Sequence, residues 1–161
     1  GHGPGVQLAV ELACASADHC TYLSDADIEA LAASDTVATV LPATDFSTRQ
    51  PYPDARRAID AGVTAAIATN CNPGSSFTTS MSFCIALAVR DMGMTIQEAI
   101  WSATAGGAKA LREQRVGHLG VGAQPHVVVL EAPTYTHLVY RPGTPLIARV
   151  FDRANQPAAL P

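Results

Sequence analysis

The chain has 161 residues, 48% of them hydrophobic and 15% charged, with a formal net charge of −4. That suffices for one buried domain but falls short of the roughly 250 residues of a closed eight-fold β/α barrel, so any barrel units here need the rest of the barrel from elsewhere. The acidic balance and lack of a basic stripe argue against nucleic acid or an anionic membrane as partner, and no apolar run approaches the ~18 residues of a membrane span.

Residues 6–12 put Val6, Ala9 and Val10 at helical spacing, and residues 14–17 read as a short strand ending at Asp18-His19. Ser24 is a helix N-cap with Asp27 three residues on, and Ile28, Leu31 and Ala32 supply an apolar face until Ser34-Asp35. Residues 36–41, rich in β-branched side chains, form the next strand, which Pro42 stops. The segment 44–52 is polar and turn-rich. A helix over 53–61 follows, with Pro53 in its first turn and Gly62 past its end. Residues 63–69 form a third strand, continuous in apolar character as strands of a two-side-covered parallel sheet tend to be. The βαβαβ rhythm predicts a parallel sheet, either open and doubly wound or curved into a barrel. Two helices come next, over 79–91 and 95–111, the second opened by the capping box Thr95 and Glu98. From Gly117 a turn region leads into β-runs at 127–130 and 146–151 with no helix between them, a small separate β layer, and residues 155–161 read as a loose end.

Two strand ends carry polar residues, Ser16-Ala17-Asp18-His19 and Ala68-Thr69-Asn70-Cys71-Asn72-Pro73-Gly74-Ser75-Ser76, and α/β barrels keep their chemistry at such ends. The two are expected to share one pocket. His19 either polarises a substrate carbonyl, acts as acid or base, or binds metal; the alternative is a histidine that caps the strand through hydrogen bonds. Asp18 points to the opposite face of an extended strand and reads as structural. Asn70 and Asn72 face the same way if the extended geometry persists. An amide suits them to holding a carboxylate or amide group and not to general-base work. Gly74 and Ser75 offer backbone N–H groups for an anion-binding concavity, with a plain Asn-Pro-Gly β-turn as the competing reading. His118, His126 and His137 lie in the β-rich tail and read as surface or structural. Trp101, Met81, Met92 and Met94 read as core. Cys14, Cys20, Cys71 and Cys84 lack the spacing of zinc or redox motifs and read as reduced, buried thiols. With no export signal visible at the start of the chain, that fits a cytoplasmic protein. No P-loop, dinucleotide fingerprint or Gly-x-Ser-x-Gly elbow occurs.

Taken together, Ser16 to His19, Tyr52-Pro53 to Arg57, Ile59-Asp60-Ala61-Gly62 and Ala68 to Ser76 resemble the imidazolonepropionase family. Ser80-Met81 and Val116-Gly117-His118-Leu119 through Val127 to Leu130 extend the likeness along nearly the whole chain. That family belongs to the metal-dependent amidohydrolases. Its members open the ring of 4-imidazolone-5-propanoate with water, giving N-formimidoyl-L-glutamate in histidine degradation. The resemblance implies the C-terminal part of a TIM-like (β/α)8 barrel, its last three strands with their helices in residues 1–113. It also implies a share of a small composite β-sandwich, plus the tail, in residues 114–161. One Zn or Fe ion is implied, held in the family by a His-x-His pair, a later His and an Asp. The first three have no match here, and His2 does not replace them.

By the same resemblance His19 matches the catalytic histidine near the substrate carbonyl, while Asn72, Gly74 and Ser75 match substrate- or product-binding residues. Ser75 stands where a threonine is common. Asn70 stands at the metal-binding Asp position, where an amide coordinates weakly and cannot accept the proton of the attacking water. Loss of a positioned base typically lowers rate by about 10²–10⁴. The expectation is a chain inactive alone, with a small-molecule substrate in the complete protein, that associates as a homo-oligomer or through an exposed half-barrel surface. A non-catalytic binding or assembly fragment, or an amidohydrolase acting on another cyclic amide or amidine, remain the alternatives.

Overall fold

The computed structural model describes residues 3–152. His2 and the expected loose end at 155–161 lie outside the described residues. The first helix, α1 (Gly5–Glu11), leads into β1 (Ser16–His19), then α2 (Asp25–Ala32) and β2 (Val37–Val40). Two helices, α3 (Pro42–Thr48) and α4 (Ala55–Asp60), separate β2 from β3 (Ala65–Ile67). The strands form one parallel sheet in the order β1-β2-β3, in register at Asp18, Thr39 and Ala66. All four residues of β2 are buried, as the central position requires.

Alternation along the strands fixes which residues meet the helices. Ala38 packs with Ile28 and Leu31 of α2, Ala58 of α4 and Val63. Val40, Ala65 and Ile67 on the same face pack with Cys84, Ile85 and Ala88 of α5 (Met81–Asp91), together with Met92 and Met94. Helix α2 starts where expected, on a reciprocal cap between Ser24 and Asp27, and Ser80 caps α5 through the Phe83 amide. Gly62 closes α4 with φ of 94°, a conformation open to glycine at no steric cost.

Several expectations need correction. The first strand runs from Ser16 to His19, later than residues 14–17, because α1 ends through Ala13 in the left-handed region. Pro42 does not merely stop β2; it is the first residue of α3, where its missing N–H is no loss. The polar residues of that segment are compatible with helix because Ser47 and Thr48 donate to the carbonyls of Ala43 and Thr44, at 2.8 and 2.7 Å. The single helix expected over 95–111 is three pieces: α6 (Ile96–Trp101), a π-helical segment Ser102–Gly106, and α7 (Gly107–Ala110). Gly106 lies against β3 so closely that a Cβ there would collide with the Ala65 carbonyl oxygen. Trp101 is 42% exposed and so is not core, whereas Met92 and Met94 are buried. Only Cys20 and Cys84 are buried thiols; Cys14 and Cys71 are exposed.

The tail carries β4 (Val127–Leu130) and β5 (Ile147–Phe151), an antiparallel pair with a bulge between Val129 and Leu130. A short helix between them, α8 (His137–Tyr140), was not expected, and it packs on α5. A cleft of about 920 Å³ separates this tail from α5 and α6, lined by residues such as Met81, Ile85, Ile100, Val127 and Leu146. Among the described residues no helix is long and apolar enough to cross a membrane.

Candidate active site

Parallel strands present all their C-terminal ends at one edge of the sheet. His19 ends β1, the α3 turn follows β2, and the Asn70 loop follows β3, so the two expected strand ends do share an edge. They stand two inter-strand spacings apart, about 10 Å. Among the described residues no hydrogen bond joins His19 to Asn70 or Asn72. The link between the two runs through α3 instead. Thr21, two residues past His19, donates to Asp45 Oδ1 at 3.3 Å, and Asn70 Nδ2 donates to Thr44 Oγ1 at 3.1 Å.

His19 would share the helix-covered face with its register partner Val40 if the strand stayed regular. It does not. His19 and Cys20 adopt φ of 71° and 56°, two successive left-handed residues, and the imidazole is exposed. Such a conformation costs about 1–2 kcal/mol per non-glycine residue and persists only where surrounding structure holds it. Here Cys20 anchors the bend: it is buried, and its thiol donates to the Ala17 carbonyl at 3.2 Å. Burial pushes that thiol up to about 12, with Asp18 and Asp27 adding to the rise, so Cys20 is a packing group and not a nucleophile. Asp18 accepts from Ser16 Oγ at 2.9 Å, a local structural contact.

The loop after β3 departs from the extended geometry that would have aligned Asn70 with Asn72, because Asn70 is left-handed with φ of 49°. Asn72 turns back on the loop. Its Oδ1 accepts from the amides of Gly74 and Ser75, both at 2.9 Å, and its Nδ2 donates to the Asn70 carbonyl at 2.6 Å and to Ser75 Oγ at 3.1 Å. The amides of Gly74 and Ser75 therefore do not form an open anion cradle; the Asn72 side chain already fills it. Nor does the next helix begin there, since α5 starts at Met81. Ser76, buried and donating to the Thr69 carbonyl at 2.6 Å, pins the loop to the end of β3. Cys71 is exposed beside it.

Sequence reasoning missed Asp45. Its residue is 2% exposed, and its Oδ2 has no hydrogen-bond partner. Burial raises its carboxyl above the usual range, partly offset by the Thr21 hydroxyl and the His19 charge. A buried acid in a segment that reads as polar turn offers no signal, because only the fold closes it off from water. The remaining histidines sit away from this edge: His118 bonds within its own turn to Gln114 and Gly120, His126 is exposed, and His137 lies in α8. No group of three or more His, Cys, Asp or Glu among the described residues is placed to hold a metal ion.

Residues 6–155 match the family model described as the amidohydrolase family. The chain is 63% identical over 155 residues to an imidazolonepropionase of Streptomyces avermitilis, covering 96% of this chain and 37% of that protein. It is 66% identical over 151 residues to an imidazolonepropionase of Mycolicibacterium smegmatis, covering 94% of this chain and 38% of the relative. The chain thus spans less than two-fifths of these relatives' length. Among solved structures, an adenosine deaminase from Xanthomonas campestris with bound zinc superposes with a TM-score of 0.76 at 23% identity, over 88% of this chain and 37% of that one. Guanine deaminase of E. coli gives 0.69 at 17% identity, over 85% and 37%. These likenesses show a shared α/β fold.

Proposed function

The chain belongs to the amidohydrolase family, and from that membership we propose that it is the C-terminal part of an imidazolonepropionase, which opens the ring of 4-imidazolone-5-propanoate with water once the remaining barrel is present. One observation carries this reading: 63–66% identity to imidazolonepropionases across 93–96% of the chain. The parallel β1-β2-β3 sheet supports reading residues 1–113 as the last strands of the barrel, and the separate β4-β5 pair supports reading 114–161 as a share of a small β-sandwich.

In this reading His19 donates to the substrate carbonyl, whose oxygen gains charge as water adds to the carbon, and stabilises that oxyanion. Its exposed, backbone-strained position at the strand end leaves the imidazole free to meet a ligand. The loop of Asn72, Gly74 and Ser75 contacts the propanoate arm or ring. Asn72 preorganises the loop, because its side chain holds both following amides in place.

The described residues do not by themselves fit a Zn or Fe ion. Asn70 at the family's Asp position is tied through its Nδ2 to Thr44, and no cluster of ligating side chains accompanies it. A resident ion, if the complete protein holds one, takes its main ligands from upstream segments. The test is to assay ring opening and bound metal for the 161-residue chain and for a longer product that adds upstream barrel units. The longer protein turns over imidazolonepropanoate and the short chain does not. Turnover by the short chain alone refutes the assignment of missing ligands, and inactivity of the longer protein on this substrate refutes the substrate.

A further inference from the structure

The two asparagines of the loop after β3 are left in opposite states. Both polar atoms of the Asn72 side chain are taken up by its own loop. Asn70 is tied at two points: its backbone oxygen accepts from Asn72 Nδ2 at 2.6 Å, and its own Nδ2 donates to Thr44 Oγ1 at 3.1 Å. Its Oδ1 has no hydrogen-bond partner among the described residues. Nor is that oxygen shut off from water, because the buried side-chain oxygens without a partner are those of Thr39 and Asp45. A carboxamide is planar, with its acceptor and its donors on separate prongs, so holding Nδ2 turns the oxygen away from Thr44. The anchor itself is fixed. Thr44 is 6% exposed in the first turn of α3, which Pro42 starts immediately after β2, and Asn70 has the left-handed φ of 49° that asparagine tolerates better than most residues.

We propose that Asn70 Oδ1 is the acceptor for a ring N–H of the cyclic substrate, and that Thr44 is the positioning residue that turns it outward. This rests on the reading of the strand-end edge as the place where the imidazolone ring is opened. His19 meets the carbonyl oxygen from the end of β1 and Asn70 meets a ring nitrogen from the end of β3, so the ring is gripped from two sides. A neutral amide oxygen takes this bond without taking the proton, which stays on the ring nitrogen. The contact selects rings whose nitrogen carries hydrogen, since an alkylated nitrogen has no donor and leaves the acceptor unpaired. Asn72 cannot replace it, because its Oδ1 is already occupied by the Gly74 and Ser75 amides.

One arm of the test reads the anchor by ¹⁵N NMR of the 161-residue chain. The Asn70 side-chain NH₂ exchanges with water more slowly than a free carboxamide in the parent and in Thr44→Ser, and at the free rate in Thr44→Val, which removes the oxygen. Thr44→Ala serves if Thr44→Val does not fold. Equal exchange with and without the hydroxyl overturns the anchor. The other arm reads the ligand in a longer protein that adds the upstream barrel units, titrated calorimetrically with hydantoin-5-propanoate and with each of its two ring N-methyl derivatives. One methyl derivative binds about 3–10-fold more weakly in the parent and in Thr44→Ser. That preference falls toward unity in Thr44→Val and is absent in Asn70→Gly, where glycine adopts the left-handed backbone at no steric cost. A simple clash with the methyl group would persist in Thr44→Val, whose Asn70 side chain is still present. A preference unchanged there, surviving Asn70→Gly, or missing from the parent overturns the proposal. Ring opening of imidazolonepropanoate is assayed on the same longer protein. An active enzyme without the preference refutes the acceptor alone, an inactive protein that keeps the preference refutes the reaction alone, and one that is inactive and indifferent refutes both.

Discussion

Asn72 engages its whole side chain inside its own loop, accepting from two backbone amides and donating to a backbone carbonyl and a hydroxyl. Truncation in Asn72→Ala strands the amides of Gly74 and Ser75, at a cost of about 1–2 kcal/mol in unfolding free energy. Amide exchange at those two positions speeds up at the same time, and Asn72→Asp, which keeps the acceptor and loses the donors, falls between. Thermal melts read alongside residue-resolved exchange check both statements. Thiol chemistry separates the cysteines in a second test at this scale. Cys14 and Cys71 are exposed, whereas burial holds the thiols of Cys20 and Cys84 up at about 12 and 11. Two thiols per chain therefore react with an aromatic disulfide in the native state near pH 8 and the other two only on unfolding. Four fast thiols would contradict the packing of Cys20 under the His19 bend. The polar residues of the site were legible in the sequence, since they interrupt apolar strands at the points where parallel sheets keep their chemistry. Their conformations were not. Whether Asn70 stays extended or turns left-handed depends on Thr44, 26 residues away, and the burial of Asp45 depends on contacts as remote.

The helices divide in the same way. Those with local signals stood out: α2 and α6 carry reciprocal caps, and α4 ends on a glycine in the conformation it favours. Helix α3 did not, because its Ser and Thr side chains satisfy themselves on its own carbonyls and leave the sequence looking like loop. The π-helical break after Trp101 also had no local mark beyond Gly106, whose role is set by the Ala65 carbonyl on another strand. Gly106→Ala accordingly forces β3 and this segment apart, and loses about 2–3 kcal/mol or fails to fold, whereas Gly107→Ala, whose Cβ would meet only ordinary contact distance, is tolerated. Chemical denaturation of the two variants distinguishes them. The start of α6 supplies a pH test. Glu98 accepts from Arg56 at 2.8 Å and from the Thr95 amide at 2.8 Å, and these bonds, the Arg56 contact foremost, hold its carboxyl down at about 2 against an ordinary 4.5. A carboxyl depressed in the folded state contributes stability that is present above its unfolded value and lost as pH falls from about 4.5 toward 2. Glu98→Gln thus loses about 1 kcal/mol near pH 7 through the weakened cap, and its deficit relative to the parent shrinks as the pH is lowered through that window. A deficit independent of pH would assign the effect to packing and not to the carboxylate.

At the scale of the molecule the three-stranded sheet leaves two edges, β1 and β3, of which the π-helical segment lies against β3. No strand among the described residues pairs with the outer side of β1. Large apolar side chains accompany this open architecture: Phe77 is 84% exposed and Leu119 83%, with Leu12 and Leu111 also well exposed. Parallel sheets are stable when both faces are covered, and an uncovered strand edge beside apolar surface is a template for pairing with another chain. The 161-residue chain therefore self-associates, with a weight-average mass in sedimentation equilibrium that rises across the micromolar range instead of staying at one 16.7 kDa protomer. Strand pairing and apolar burial respond differently to a charge on the strand edge, which separates the two causes. A lysine in place of Ala17 on β1, pointing toward the α2 side, harms packing and should destabilise the fold. A lysine in place of Ser16 points to the other face, and should leave the melting temperature nearly unchanged while lowering association if β1 is the sticky edge. Association untouched by Ser16→Lys but abolished by Phe77→Ser would place the contact on the exposed Phe77 side chain, next to the loop of the candidate site. On the proposed reading of this sheet as the last strands of a barrel, a longer protein supplies a neighbour for β1, and the expected outcome is a mass that settles at a single species once that edge is paired.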